Sequence, residues 1–112
     1  MGGQGEKMMN LKNFKWMTKP SGRNILSEEV GGQIVLDFGK YHLSIIDDGY
    51  GREKGLLEIG LFEAEDGVAT VMAGLPEITG EDDTVKGFLT EEDVDGIIKK
   101  LYSITKQEPV QV

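Results

Sequence analysis

Cysteine is absent from this chain of 112 residues, and His42 is its only histidine. The first absence excludes a disulfide scaffold and any thiolate metal site. Together they exclude a Cys–His nucleophilic pair and leave a single imidazole for a hydroxyl nucleophile. Alternation places His42 opposite Tyr41, Leu43 and Ile45, toward the less buried side of a strand. Ser44 shares that side but stands two residues along, roughly 7 Å away. The spacing predicts an ordinary half-buried or surface histidine, and no enzyme. No apolar run approaches the roughly 18 residues of a membrane-crossing helix, so no membrane partner is expected. Residues 1–12 lack the apolar stretch of a secretory signal, and Glu6 breaks the myristoylation pattern that Met1-Gly2 would begin. The expected compartment is the cytoplasm.

Alanine is scarce as well. It occurs three times, against 17 occurrences of valine and isoleucine. Alanine favours helices and β-branched residues favour half-buried pleated surfaces, so the body should be mostly sheet. Leucine, isoleucine, valine and phenylalanine supply 31 residues, above the roughly 20% floor for a charged chain to fold. One domain fits the length. The 16 glycines are spread along the chain, as many turns would require.

The pattern predicts a strand over residues 13–18 with Phe14 and Trp16 on one side, ended by Pro20-Ser21-Gly22. A single helical turn is expected near residues 27–30. Residues 33–38 and 41–46 alternate strictly across Gly39-Lys40, which predicts an antiparallel hairpin with a primed two-residue turn. Residues 56–63 read as a strand covered on both sides, since the face opposite Leu57, Ile59 and Leu61 is mostly uncharged. Asp66-Gly67 turns the chain into residues 68–72, and residues 84–89 make a last short strand.

Residues 90–104 form the one clear helix. Thr90 is its N-cap and Asp93 completes a capping box. Val94, Ile97, Ile98, Leu101 and Ile104 make one apolar stripe, and Gly96 is expected to let the helix approach the sheet closely. The resulting fold class is α+β: a curved antiparallel sheet of four to five strands with one C-terminal helix packed on one face. Residues 1–12 are read as a flexible tail, 13–105 as the domain and 106–112 as a frayed tail.

Charge sorts the surface. The net charge of -8 divides into +4 over residues 1–26 and -12 over the remainder. Basic residues interleaved with aromatics can bind single-stranded nucleic acid, but the acidic body repels a polyanion, so nucleic acid is disfavoured. Phe14 and Trp16 are expected to enter the core from an edge strand whose lysines discourage aggregation. The acidic clusters at 47–48, 63–66, 81–83 and 91–95 lack the calcium-loop pattern, and no metal or cofactor is expected. The segment 49–55 lacks the Gly-Lys-Ser/Thr ending and following helix of a phosphate loop. It offers Tyr50, Arg52 and Lys54 as a contact surface.

Leu43-Ser44-Ile45-Ile46, the Gly49-Tyr50-Gly51 loop, Gly55-Leu56-Leu57-Glu58-Ile59 and Asp83-Thr84-Val85-Lys86-Gly87-Phe88-Leu89-Thr90-Glu91-Glu92-Asp93-Val94 carry a resemblance. Over about residues 33–104 the sequence resembles small uncharacterised bacteriophage proteins with this loop, strand and helix layout. The resemblance implies a phage-type origin, hence a host-cell cytoplasm, and transfers no functional residues.

The expectation is therefore a small acidic phage-type accessory protein that binds another protein, one with a basic surface. Tyr50, Arg52, Lys54, Asp82, Asp83 and Trp16 are the candidate contact residues. Two alternatives stand beside it: a nucleic-acid mimic with carboxylates from Asp47 to Asp95 in place of phosphates, and a weak nucleic-acid binder acting through its basic N-terminal segment. Self-association through the N-terminal strand or an exposed sheet edge is a further expectation.

Overall fold

A computed structural model of the chain describes residues 10–20 and 30–112. Residues 27–29 of the helical turn expected near 27–30, the turn at Ser21-Gly22 and most of the N-terminal tail lie outside the described residues, and Val30 is extended rather than helical. Within them the strands are β1 (Met17–Pro20), β2 (Val30–Asp37), β3 (Tyr41–Ile46), β4 (Leu57–Glu65), β5 (Val68–Met72), β6 (Val85–Leu89) and β7 (Val110–Gln111). A four-residue helix α1 (Pro76–Thr79) precedes β6, and α2 (Glu91–Thr105) follows it. Single 3₁₀ turns lie at Leu11–Asn13 and Arg52–Lys54.

The sheet is antiparallel throughout, and its fold is α+β. Seven described strands take only five positions in it. β2, β3 and β4 form the central meander, and the outer side of β2 is shared by β1 and β7. The outer side of β4 is shared likewise by β5 and β6. The expected four to five strands agree with the five positions, but not with the sharing.

Turn chemistry fixes the register. Gly39 takes φ +88 at the first loop position of the β2–β3 hairpin, and the Phe38 amide donates to the Tyr41 carbonyl at 2.8 Å. The Asp37 carboxylate accepts the Gly39 amide at 2.7 Å. Asp66 and Gly67 both have positive φ, as a type I′ turn between β4 and β5 requires. With these turns set, Ile34, Ile45 and Ile59 stand side by side, as do Leu36, Leu43 and Leu61. All six are fully buried.

Helix α2 covers that face with Val94, Ile97, Ile98 and Leu101. Burying each side chain is worth roughly 1.5–3 kcal/mol as an upper figure. Ile104, expected in the same stripe, is exposed; it stands one residue before the end of the helix. Thr90 caps the helix as expected: its hydroxyl accepts the Asp93 amide at 3.1 Å and its amide donates to the Asp93 carboxylate at 3.0 Å.

Four expectations need correction. The strand expected at 13–18 begins only at Met17, since a 3₁₀ turn occupies Leu11–Asn13 and Phe14 packs against the core. Leu11, placed in the tail, is itself buried, and its amide donates to Asp95 at 2.6 Å. The segment expected to fray at 106–112 instead buries Pro109 and pairs Val110 and Gln111 with β2. Gln111 also exchanges side-chain hydrogen bonds with the backbone of Lys15. Finally, Gly96 does not bring helix and sheet together, because a Cβ added there meets nothing within 4 Å.

Two outcomes follow from the helix. Gly96→Ala removes a backbone entropy cost without a clash and should stabilise the protein by about 1 kcal/mol, read by urea unfolding. The Thr90 amide, then its hydroxyl, hold the Asp93 carboxyl below the usual carboxylate range, with a smaller pull from Lys86. A lowered carboxyl contributes stability above its unfolded value and loses it as pH falls through the folded one. Asp93→Asn should therefore be less stable than the parent at pH 7, with the gap closing below about pH 4, in unfolding curves taken across that range.

Candidate functional site

The loop between β3 and β4 is a folded corner. Gly51 at φ +97 and Gly55 at φ +73 bracket the 3₁₀ turn that carries Arg52 and Lys54. The Tyr50 amide donates to the Glu58 carboxylate at 2.7 Å, which ties the loop to β4. Arg52 reaches its own loop at the Gly49 carbonyl and stands 3.8 Å from Glu53, both of them exposed. A pair so placed contributes little, so both cations of this turn remain at the surface.

The corner docks on a bulge in β6. Leu57 pairs with Leu89 and Ile59 with Lys86, so Gly87 and Phe88 together stand opposite Glu58 alone. Phe88 absorbs the extra residue by taking φ +57. Its amide donates to the Tyr50 carbonyl at 3.1 Å. A Cβ at Gly87 would lie 2.5 Å from Tyr50 Cβ, and one at Gly51 would lie 3.0 Å from Phe88 Cα. Only glycine at both positions lets the two backbones approach this closely. The result is two exposed aromatic residues on adjoining backbones, Tyr50 61% and Phe88 60% exposed.

The left-handed region costs an L-residue about 1–2 kcal/mol, and for a bulky one it is an outlier. Asp66 and Asp82 occupy it in turns and Lys106 at a helix C-cap, where that conformation is ordinary. Phe88 is the exception, since it sits within a strand. Beside it runs a groove of about 480 Å³ between β6 and α2. Lys86, Phe88, Glu92, Gly96, Ile97 and Lys100 are among its lining residues, and the missing side chain of Gly96 keeps it open.

Tyr50, Arg52 and Lys54 thus share one corner. Asp82 and Asp83 lie in the turn that leads into β6, where Asp82 takes φ +63 and Asp83 accepts the Thr84 amide at 3.1 Å. They shape the turn. Trp16 is elsewhere: it packs over Gly32 of β2, and β3 and β4 separate it from β6. At 39% exposure it neither enters the core nor joins the Tyr50 corner. Phe88 escaped the sequence reading because Gly-Phe-Leu before an N-cap looks like plain strand. No local signal marks a phenylalanine for positive φ.

Other chemistry is sparse. His42 is 5% exposed, more buried than expected, and its Nε2 lies 3.5 Å from Asp37 Oδ1. Ser44 instead accepts from the Gln33 side chain at 2.9 Å. Among the described residues no group of three or more His, Asp or Glu side chains is placed to hold a metal ion, and no helix is long and apolar enough to cross a membrane. Many carboxylates serve the backbone: Asp37, Asp47, Glu58, Asp83, Asp93 and Asp95 each accept an amide. No family model matches the chain, and neither a curated protein nor a solved structure shows significant similarity to it.

The strain at Phe88 is measurable. Phe88→Gly removes it at the expense of a ring that is mostly in solvent, so folding stability should stay level or rise by up to about 1 kcal/mol. Phe88→Ala keeps the strain, loses the ring's contact with Gly51 and should fall below the parent. Denaturant midpoints of the three proteins give the order.

Proposed function

We propose that this chain is a non-catalytic protein-binding domain whose contact surface is the Tyr50–Phe88 corner with the adjoining groove. The supporting observation is the position of Phe88. A bulky residue is kept in a costly backbone conformation, and its ring is left 60% exposed. Strain of this kind concentrates at functional sites, and the bulge that causes it is a device for re-aiming a side chain. Within the free protein the exposed ring returns little for that cost. A partner that buries it gains roughly 25 cal/mol for each Å² of apolar surface. Aromatic anchors seated in pockets carry much of the energy in protein interfaces.

Arg52 and Lys54 rim the corner, and the chain as a whole carries -8. Such a net charge steers the molecule toward a basic partner and makes association slower as salt rises. The partner's matching feature is an apolar pocket wide enough for one ring. The host-cell cytoplasm implied by the resemblance to bacteriophage proteins suits a chain without cysteine. A nucleic-acid mimic is the weaker alternative, because the carboxylates named above are engaged with backbone amides.

A photocrosslinking residue placed at Phe88, and separately at Lys99 on the exposed side of α2, tests the proposal in a low-salt bacterial lysate. The expected outcome is a discrete protein adduct from position 88 that position 99 does not give and that untagged parent protein displaces. Identical adducts from both positions, or none from either, would overturn it.

A further inference from the structure

We infer that β5 is a self-association edge, which a second copy of this chain pairs with antiparallel about a two-fold axis beside Thr70. This rests on observations separate from the Tyr50–Phe88 corner. The ten residues from Gly67 to Pro76 form the longest stretch without a formal charge in a chain that is 29% charged. All five residues of β5 are exposed, among them Val68, Val71 and Met72. β5 pairs with β4 on one side, and no described element covers the other.

Sheet edges left open in this way are ordinarily blunted by lysine, proline, inward charges or a bulge. Among these β5 has only a bulge, where Thr70 and Val71 face Glu63 across the β4 ladder. The other described edges differ: β1 contains Lys19 and Pro20, β6 contains Lys86, and β7 is two residues long.

Charge selects the second copy as occupant. Two molecules of net -8 repel wherever their acidic surfaces meet. With the axis at the middle of β5, residues 67–73 of one copy face only residues 67–73 of the other, and none of these is charged. Glu65 and Asp66 of the two copies are carried to opposite ends of the joint edge rather than against each other. The side chains agree with this arrangement, since valine, threonine and methionine pair well across strands. Met72, Phe62 and Val85 cluster around Gly60, an apolar patch that adjoins this edge.

Five paired residues a side fall well short of the roughly 20–30 a side of a standard interface. The dimer is therefore weak and concentration-dependent. Because its opposing term is charge repulsion, added salt tightens it, the reverse of the effect on binding a basic partner.

Sedimentation of the full chain from about 10 μM to about 1 mM, in low and high salt, tests the inference. The expected result is a monomer–dimer equilibrium that salt shifts toward dimer. Val71→Lys and Val71→Glu should each weaken it about tenfold or more by opposing like charges. An equimolar mixture of the two variants should restore it. Circular dichroism checks that both variants retain the parent's fold, and Thr70→Lys with Thr70→Glu is the substitute pair if either does not. A chain that stays monomeric to 1 mM in high salt would overturn the inference. So would a dimer that these charges leave unchanged or that the mixture fails to restore.

Discussion

Two apolar rows, Ile34–Ile45–Ile59 and Leu36–Leu43–Leu61, lie in register across three strands, and the rest of the molecule is arranged around keeping them dry. A slip of one residue in any of the three would turn Gln33, Asp37, Ser44 or Glu58 inward and an isoleucine or leucine outward. The short Gly39 turn prevents that slip between β2 and β3. The longer connection between β3 and β4 has no tight turn to do so. There the loop is anchored instead, by Glu58 holding the Tyr50 amide and by Phe88 holding the Tyr50 carbonyl. The corner proposed for partner binding is thus also part of what keeps the central strands aligned.

What could be read from the sequence was whatever depends on neighbours a few residues apart. The β2–β3 hairpin, the Asp66-Gly67 turn, the capping box of Thr90 and Asp93 and the buried stripe from Val94 to Leu101 all have local causes. Their residue types fix φ, supply a cap or repeat with a definite period. What could not be read depends on residues far apart. Val110 and Gln111 look like a loose end until Asp37 and Leu36 are seen beside them. Leu11 looks like tail until Asp95 takes its amide.

The candidate site divides along the same line. Tyr50, Arg52 and Lys54 follow from a glycine-bounded loop, a recognisable place for contact residues. Phe88 becomes visible only when a strand one residue too long is forced against β4, and nothing in Gly-Phe-Leu announces that mismatch. Trp16 shows the opposite failure. An aromatic flanked by lysines attracts a functional reading, yet its place is over Gly32, on the far edge of the sheet. Gly96 shows a third kind: a glycine within a helix suggests close packing, yet it opens a groove rather than closing a gap.

The hydrogen bonds between Lys15 and Gln111 and between Leu11 and Asp95 join residues 96 and 84 positions apart, whereas β2, β3, β4 and β5 are linked by successive hairpins. Contacts at short separation form early because little loop entropy opposes them. The meander can therefore assemble first, and residues 10–16 and 110–112 close over it last, as a latch with two halves. Opening either half breaks the Lys15–Gln111 hydrogen bonds that join them, so the two should loosen together in a partial unfolding that leaves the sheet centre intact. Cooperativity of that kind comes from a glutamine side chain and a few amides, together with the buried side chains of Leu11 and Pro109.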